Sequence, residues 1–260
     1  MIDLHLHILP GLDDGPADMA ESVEMARCCV HDGIHTVVAT PHMLSGAYNV
    51  TKGDILAGVR AFSDQLRDRN IPLGILPGAD VHALGDLADR LRAGEVLTVA
   101  DGGKYLLVEF NHDGLPPRAA EVLFAVHLSG VVPIITHPER NTAFQDDPDQ
   151  MLSLVRAGNL VQVTASSFTG AFGRRAEQCA RNLLLRRMVH LVASDAHSLK
   201  GRPPGLSSAR KVVACMTDER ETRDIFEANP AAIIAGKSVI VPEPLVRVPR
   251  RRWSIAGLWR

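Results

Sequence analysis

The histidines and acidic residues of this chain lie where short apolar runs end, and this placement limits the folds that the sequence can form. Six runs lead directly into such residues, which are His5 and His7, His42, Asp80, Glu109, His137, and Asp195 and His197. In α/β folds the carboxyl ends of parallel strands face the active site. The pattern therefore predicts that side chains far apart in sequence meet at one edge of a sheet.

The apolar runs themselves predict parallel strands. They are rich in Val, Ile and Leu without polar alternation, which is typical of strands buried on both faces, and they cover residues 2–5, 35–40, 74–81, 105–110, 131–136, 160–164 and 190–194. Helical patterns such as residues 18–32 and 54–69 separate them. Repeated strand-then-helix order predicts an α/β barrel or an open doubly wound sheet, and a length of 260 residues fits a single domain.

Composition excludes several classes of protein. A formal net charge of -2 gives no general case for nucleic-acid binding. The four cysteines contain no C-x-x-C pair, so neither a disulfide framework nor a zinc ribbon is predicted, and a reducing compartment is favoured. The sequence shows no signal-peptide pattern and no apolar run long enough to span a bilayer. We therefore expect a cytoplasmic protein.

Imidazoles and carboxylates together favour a site for Zn, Mn or Fe rather than a thiolate site. His5 and His7 alternate along a strand and can face the same ion, and Asp195 and His197 repeat that spacing. A single histidine at a strand end is usually structural, whereas convergence from six strand ends favours metal ligation. The donors suffice for about two to three ions, which can activate water and stabilise an in-line phosphoryl displacement.

Two arginines lie close to the candidate ligands. Arg140 follows His137 by three residues, and Arg202 follows His197 by five. A guanidinium group can bind two phosphate oxygens at once and stabilise charge in a transition state. The simpler alternative is that each arginine pairs with a surface carboxylate. Their positions favour a phosphate clamp, whereas His82 and His112 are expected to line the pocket.

Several of these segments also match a known family. His5-Leu6-His7, Asp13-Asp14-Gly15-Pro16, His137-Pro138-Glu139-Arg140 and Ser194-Asp195-Ala196-His197 resemble the PHP (polymerase and histidinol phosphatase) family. The combination of the second and third motifs is similar to the CpsB-type metal-dependent protein-tyrosine phosphatases of bacterial capsule and exopolysaccharide loci. The resemblance extends from Met1 to about Pro204. It implies a distorted (β/α)7 barrel, a TIM-like PHP fold, formed by one domain.

The resemblance also implies a set of metal ligands, carried over by position. One ion takes His5, His7, Asp80 and Asp195, a second shares Asp80 and takes Glu109 and His137, and a third takes Asp14, His42 and His197. The ions are usually manganese, with Fe or Zn as alternatives. Two positions depart from the family pattern. Asp80 stands where glutamate is usual, which affects how two ions are bridged, and Asn141 replaces an aromatic residue.

The implied activity is hydrolysis of phosphotyrosine on the tail of a cognate tyrosine kinase that regulates polysaccharide assembly. The predicted mechanism is attack of hydroxide, generated by the ions, on phosphorus in line with the leaving group. Arg140 and Arg202 hold the phosphate, and His42 or His197 assists the departing phenolate through water. All four are therefore candidate catalytic residues.

The composition changes near Pro242, where a basic, proline-punctuated segment rich in arginine and tryptophan begins. We therefore predict a phosphatase domain over residues 1–241 and a tail over residues 242–260. The tail is expected to be a simple terminal extension, with weak contact to an anionic membrane surface as the alternative.

Alternative functions stay open at this stage. The same metals would serve a small-molecule phosphoesterase such as histidinol-phosphate phosphatase, and Asp80 leaves open a non-catalytic regulator that binds phosphotyrosine. Turnover of a small aryl phosphate would separate an enzyme from a binder.

A cysteine-dependent phosphatase is disfavoured, because none of the four cysteines has the arginine that a C-x5-R phosphate loop requires. A nuclease role is also disfavoured, since the chain has no basic groove pattern outside its tail.

Overall fold

The computed structural model describes residues 1–239 and 241–247. It contains nine strand segments: β1 (Ile2–Leu6), β2 (Thr36–Ala39), β3 (His42–Met43), β4 (Gly74–Pro77), β5 (Asp80–His82), β6 (Tyr105–Glu109), β7 (Val132–Thr136), β8 (Leu160–Thr164) and β9 (Leu191–Ala193). Every pairing between them is parallel. Parallel pairing requires a crossover between successive strands, and helices supply these crossovers.

The segments occupy seven successive strand positions. They form one sheet in the order β1-β2-β4 and another in the order β3-β5-β6-β7-β8-β9. The first sheet continues into the second, because β2 pairs with β4 and β3 pairs with β5 at the same offset along the chain. The segments β2 and β3 are thus two halves of one interrupted strand, as are β4 and β5. The predicted run over residues 74–81 is therefore one strand position with a break.

The other edges of the two sheets meet at β1 and the end of β9. The backbone N–H of Asp195 donates to the carbonyl of His5, and that of His7 donates to the carbonyl of Ala196, each at 2.9 Å. These bonds link the two sheets at their other edges, as in a distorted (β/α)7 fold. The register of β1 against β2 shifts between Asp3 and Leu6. Irregularities of this kind re-aim side chains near active sites, and His5 lies within the shifted segment.

The helices cover the outside of the strands. They are α1 (Met19–His31), α2 (Lys52–Asp68), α3 (Leu87–Arg92), α4 (Ala119–Leu128), α5 (Thr142–Asp146), α6 (Pro148–Arg156), α7 (Ala165–Phe168), α8 (Gly173–Leu185), α9 (Ser207–Met216), α10 (Glu219–Arg223) and α11 (Asn229–Ile234). A π-helical segment over Asp224–Ala228 joins α10 to α11. The predicted helices therefore form with small shifts of their ends. For example, α2 begins before residue 54 because Thr51 and Asp54 make a capping box.

The apolar side chains form two clusters on opposite faces of the sheet. The larger cluster joins strand residues such as Val37, Leu106 and Ile135 to helix residues such as Phe62. The smaller cluster takes the alternate strand residues, which are Ile2, Leu4, Val38, Tyr105, Leu107, Ile134, Leu160 and Leu191. Side chains alternate across a strand, so the strand residues of the smaller cluster lie on the face opposite the larger cluster, where Val99 and Ile233 of α11 join them. This packing leaves the carboxyl ends of the strands for polar residues.

Part of the predicted tail lies within the described chain. Leu245 and Arg186 are joined by two hydrogen bonds, a backbone pair at 2.8 Å and a bond from the Arg186 side chain to the Leu245 carbonyl at 3.0 Å. The arginines and tryptophans of the tail beyond residue 247 lie outside the described residues, and the boundary at residue 242 stays a prediction. Within residues 1–239 and 241–247, no helix has the length and hydropathy to cross a membrane.

A buried histidine at the start of β9 makes stability depend on pH. The Nδ1 of His190 accepts the backbone N–H of Val161 at 2.9 Å, and burial lowers the pKa of His190 to about 4. The neutral ring therefore stabilises the fold above the unfolded pKa of about 6.5, and this contribution is lost as pH falls towards 4.

Between pH 7 and 4, we expect the free energy of unfolding to fall in both proteins. The fall in the wild type should exceed that in His190→Gln by up to roughly 3 kcal/mol. Glutamine can still accept the Val161 N–H but does not titrate. Urea unfolding at a series of pH values, in metal-free samples of both proteins, measures the difference. Parallel curves for the two proteins would contradict a buried neutral His190.

Candidate metal centre

The structure brings all nine predicted ligands to the carboxyl ends of the strands. They come from β1 and the loop after it, β3, β5, the end of β6, and the segments following β7 and β9: His5, His7, Asp14, His42, Asp80, Glu109, His137, Asp195 and His197. The site extends from the protein interior to its surface. Asp80 is fully buried, whereas the Asp14 side chain is 44% exposed. A solute can therefore reach one side of a largely enclosed cluster.

Hydrogen bonds hold the rings of three histidines so that the Nε2 atom of each points towards the site. The Nδ1 atoms of His5, His7 and His197 lie 2.8 Å from Gln162 Oε1, 2.6 Å from Asp13 Oδ2 and 3.0 Å from the Asp195 carbonyl, respectively. Each partner is an acceptor, so each Nδ1 carries the proton. Each Nε2 consequently presents a lone pair to the site, as metal-binding imidazoles do.

This tautomer makes the site unfavourable without a cation. The Nε2 atoms of His5 and His7 face each other at 3.1 Å although both are acceptors. The His197 Nε2 and Asp80 Oδ2 atoms are buried without a hydrogen-bond partner among the described residues. Leaving buried polar atoms unsatisfied is costly, and a bound ion removes this cost by accepting their lone pairs. The donors present therefore fit divalent metal ions.

Asp80 lies at the centre of the cluster. Its Oδ2 atom is 3.6 Å from His5 Nε2, 3.7 Å from His42 Nδ1 and 3.6 Å from His137 Nε2. Its Oδ1 atom accepts a hydrogen bond of 3.1 Å from the Thr136 hydroxyl, which fixes the carboxylate plane. Two donors bound to one ion at about 2.1 Å are separated by roughly 3–3.5 Å. Asp80 Oδ2 would therefore be within a few tenths of an ångström of the separations needed to share ions with these imidazoles, despite the shorter side chain.

The remaining donors form groups on either side of Asp80. His5 and His7 lie 3.4 and 3.6 Å from Asp195 Oδ1, measured from their Nε2 atoms. On the opposite side, His137 Nε2 lies 3.4 Å from Glu109 Oε1.

The third group is the most exposed. Asp14 Oδ1 lies 3.4 Å from His197 Nε2 and 3.6 Å from His42 Nε2. These groups contain the ligand sets that the family resemblance implies, but they overlap: His7 also lies with Asp14, His42 and His197, and His112 lies with Glu109 and His137.

Two of these residues have unusual backbone conformations. His137 has φ of 35° and Asp195 has φ of 51°, in the left-handed region that residues other than glycine rarely adopt. Such conformations are disfavoured by about 1–3 kcal/mol and cluster at functional sites. Here they turn the chain immediately after β7 and β9, which directs both side chains into the cluster.

The electrostatics of the site favour the neutral form of three imidazoles and the charged form of Asp195. Burial lowers the pKa of His5 and His7, and burial and Arg140 lower that of His137 to about 4. Burial opposes ionisation of Asp195, but His5, His137 and the two arginines outweigh it and lower its pKa.

The other carboxylates affect one another. Burial and the neighbouring Glu109 raise the pKa of Asp80 to about 6. Burial opposes protonation of His42, but Glu109, whose Oε2 lies 3.2 Å from His42 Nδ1, and the nearby Asp80 outweigh this effect and raise its pKa to about 9. The carboxylates thus attract positive charge, which divalent ions would supply.

The two predicted arginines meet at one carboxylate oxygen. Arg140 Nη1 donates to Asp195 Oδ2 at 2.5 Å, and Arg202 Nη2 donates to the same atom. Asp195 is buried, so the simpler expectation of pairing with surface acids is wrong for both. The Phe172 ring lies 4.5 Å from the Arg140 guanidinium carbon and 5.8 Å from that of Arg202, measured from the ring centroid. Cation–π contacts at these distances orient the guanidinium groups.

Several contributors to the site were missed in the sequence. Asp13 and Gln162 position ligands, and Phe172 stacks on the arginines. Asp13 belongs to a motif noted above, whereas Gln162 and Phe172 carry no motif. Asn141 is buried and donates to the carbonyls of Asn111 and Gly114 at 2.6 and 2.9 Å. It therefore shapes a loop rather than contacting a substrate ring.

Comparison with known proteins gives the same picture. Tyrosine-protein phosphatase YwqE of Bacillus subtilis (strain 168) is 40% identical over 206 residues, which are 78% of this chain and 79% of the relative. Tyrosine-protein phosphatase CpsB of Streptococcus pneumoniae is 29% identical over 242 residues, 90% of this chain and 98% of the relative.

A solved structure superimposes on the chain with a TM-score of 0.91 at 33% identity, covering 96% of this chain and all of the other. It is one of the crystal structures of YwqE from Bacillus subtilis and CpsB from Streptococcus pneumoniae, which are described together as "unique metal-dependent tyrosine phosphatases". The model of the family "Capsular polysaccharide synthesis, CpsB/CapC" matches residues 1–235. The chain therefore belongs to the CpsB/CapC family of capsular polysaccharide synthesis.

Proposed function

We propose that this chain is a metal-dependent protein-tyrosine phosphatase that removes phosphate from tyrosine on a protein substrate. The observation that carries the proposal is the Asp80-centred cluster, in which imidazole lone pairs and carboxylates converge beside two arginines. The named activities of YwqE and CpsB support it.

We assign the nine ligands to about two to three divalent ions in the groups described above, with Asp80 shared. Oxygen and imidazole donors suit Mn²⁺, our first choice, with Fe or Zn as alternatives. When bound, such ions supply Lewis acidity that lowers the pKa of water to about 7 and stabilises charge on phosphoryl oxygens. Gln162 and Asp13 keep His5 and His7 in the metal-binding tautomer.

Arg140 and Arg202 are the groups that we assign to the substrate phosphate. In the structure each already donates to Asp195, which holds both guanidinium groups at the edge of the cluster. Their remaining N–H donors can bind phosphoryl oxygens, and two fixed cations there stabilise the charge of the transition state. The ring of Phe172 limits the directions in which they can turn.

The phenolate leaving group needs only modest assistance, because its conjugate acid has a pKa of about 10. His42 and His197 lie on the exposed side of the cluster, near Asp14. We therefore propose that a water molecule on this side supplies the proton to the departing oxygen, and that His42 and His197 help to position that water.

The structure gives no support to a thiolate nucleophile. All four cysteines are free thiols. Burial raises the pKa of Cys29 and raises that of Cys179 to about 12, which makes both poor nucleophiles. Cys28 and Cys215 are exposed and lie on helices α1 and α9.

The specific partner that we propose is the phosphorylated tail of a cognate tyrosine kinase controlling capsule or exopolysaccharide synthesis, met in the cytoplasm. The family description supports this biological setting. A weak contact of the basic tail with the membrane surface stays a prediction, since those residues lie outside the described part of the chain.

Substrate selectivity tests the proposal. Manganese-loaded protein should hydrolyse a phosphotyrosine peptide with kcat/KM at least about tenfold above that for histidinol phosphate or a phosphoserine peptide. A preference for histidinol phosphate would instead indicate a metabolite phosphatase. Tight binding of phosphotyrosine peptide without phosphate release would indicate a non-catalytic regulator.

A further inference from the structure

A small cavity adjoins the metal centre on the side of His42 and Glu109. Its volume is about 170 Å³, and it is lined by His42, Ser45, Tyr48, His82, Glu109, Phe110, Asn111 and His112. His42 and Glu109 are candidate ligands as well as wall residues. A group in this cavity would therefore be next to the reacting phosphate.

Five of the eight residues that line the cavity are aromatic. Tyr48 and His42 have nearly parallel rings, with an interplanar angle of 7° and centroids 6.0 Å apart. His82, Phe110 and His112 add three further rings from the ends of neighbouring strands. Ring faces favour a flat apolar group, and such contacts contribute to binding beyond the area that they bury.

The loop after β3 fixes the position of Tyr48. The Ser45 hydroxyl oxygen accepts the backbone N–H groups of Ala47 and Tyr48 at 3.3 Å each. Gly46 has φ of 76°, a conformation that glycine adopts without strain. The backbone at Tyr48 is therefore held by local bonds, and its ring lies against that of His42.

The position of the cavity relative to the arginines is consistent with a substrate bound across the metals. His112 belongs to the cavity wall, and its Nε2 lies 2.7 Å from Arg140 Nη2. A phosphate bound by Arg140 would therefore be separated from the cavity only by His112. The ester oxygen can then lead a substituent into it.

We propose that this cavity is an aryl subsite, and that Tyr48 is a specificity-determining residue that recognises the ring of the phosphotyrosine. The inference rests on the proposed phosphatase function and extends it to the recognition of the leaving group. Phosphoserine and phosphothreonine have no ring to fill the cavity, so they lose these contacts. Alkyl phosphates consequently bind through the phosphate alone.

Two phosphonates separate the ring contact from the phosphate contact. Phenylphosphonate and methylphosphonate carry the same anionic group, and only the first has a ring. We expect phenylphosphonate to inhibit the manganese-loaded wild type about tenfold more strongly than methylphosphonate. Tyr48→Ala should reduce this ratio to about two, with unchanged metal content and unchanged affinity for methylphosphonate, and Tyr48→Phe should retain the wild-type ratio.

The same samples are assayed for hydrolysis of p-nitrophenyl phosphate. One outcome is that the wild type hydrolyses the aryl phosphate and Tyr48→Ala keeps the wild-type preference for phenylphosphonate over methylphosphonate. The aryl subsite is then wrong, and the proposed function stands. Equal weakening of both phosphonates in Tyr48→Ala also overturns the subsite, because Tyr48 then acts on the phosphate site. Failure of metal-loaded wild type to hydrolyse the aryl phosphate overturns the proposed function, and the subsite with it.

Discussion

Replacing Asp80 by asparagine is expected to lower kcat/KM for a phosphotyrosine peptide by on the order of 10³-fold, because the stabilisation that metal ions give to a phosphoryl transition state amounts to several kcal/mol. Asp80 Oδ2 lies within 3.6–3.7 Å of three imidazole nitrogens that we assign to the ions. Asparagine keeps the oxygen that accepts from Thr136 but removes the negative charge. Steady-state kinetics and metal content by mass spectrometry measure the two effects.

The thermal stability of the metal-free proteins distinguishes a variant that no longer binds metal from one that no longer folds. Burial and Glu109 raise the pKa of Asp80 to about 6, so its charged form is disfavoured relative to that of an exposed aspartate. Metal-free Asp80→Asn should therefore melt at or above the temperature of the metal-free wild type. Asp80→Glu, which carries the residue that the family resemblance implies here, should retain the metals. An active Asp80→Asn protein with full metal content would show that Asp80 is not a ligand.

Arg140→Ala and Arg202→Ala are each expected to lower kcat/KM by about 10²–10³-fold, the usual effect of removing one transition-state donor. Both guanidinium groups bind Asp195 Oδ2, so the double variant should lose less than the product of the single losses. Lysine restores little at either position, because an ammonium group lacks the planar fork. The measurements are kcat/KM and the inhibition constant of inorganic phosphate.

Metal content again provides the control for the arginines. If they bind substrate, both alanine variants keep the full complement of metal while phosphate inhibition weakens. If they act mainly by holding Asp195, metal loss will accompany the loss of activity. The second result would reassign Arg140 and Arg202 from substrate binding to positioning of Asp195.

The fold was predictable from the sequence because buried parallel strands leave continuous apolar runs. All seven predicted runs correspond to strand positions, and the distorted (β/α)7 arrangement is confirmed. The short β3 was not predicted, since two residues around His42 carry no strand periodicity. The break between β4 and β5 was also hidden, because Gly78 and Ala79 continue the apolar pattern.

The candidate site was predictable to the extent that strand ends determine it. His5 and Asp195 lie near strand ends, and Asp80 lies near the end of the interrupted strand position formed by β4 and β5, so strand order alone brings them together. Phe172 and Tyr48 could not be placed this way, because each belongs to a loop whose conformation depends on turns and local hydrogen bonds.

The most direct test of the metal centre is a titration of chelator-stripped protein with Mn²⁺, followed by release of phosphate from a phosphotyrosine peptide. We predict no release without metal and full recovery at about two to three Mn²⁺ per chain, with no recovery in His7→Ala. Full activity in the stripped protein, or no activity with Mn²⁺, Fe²⁺ or Zn²⁺, would contradict a metal-dependent phosphatase built around Asp80.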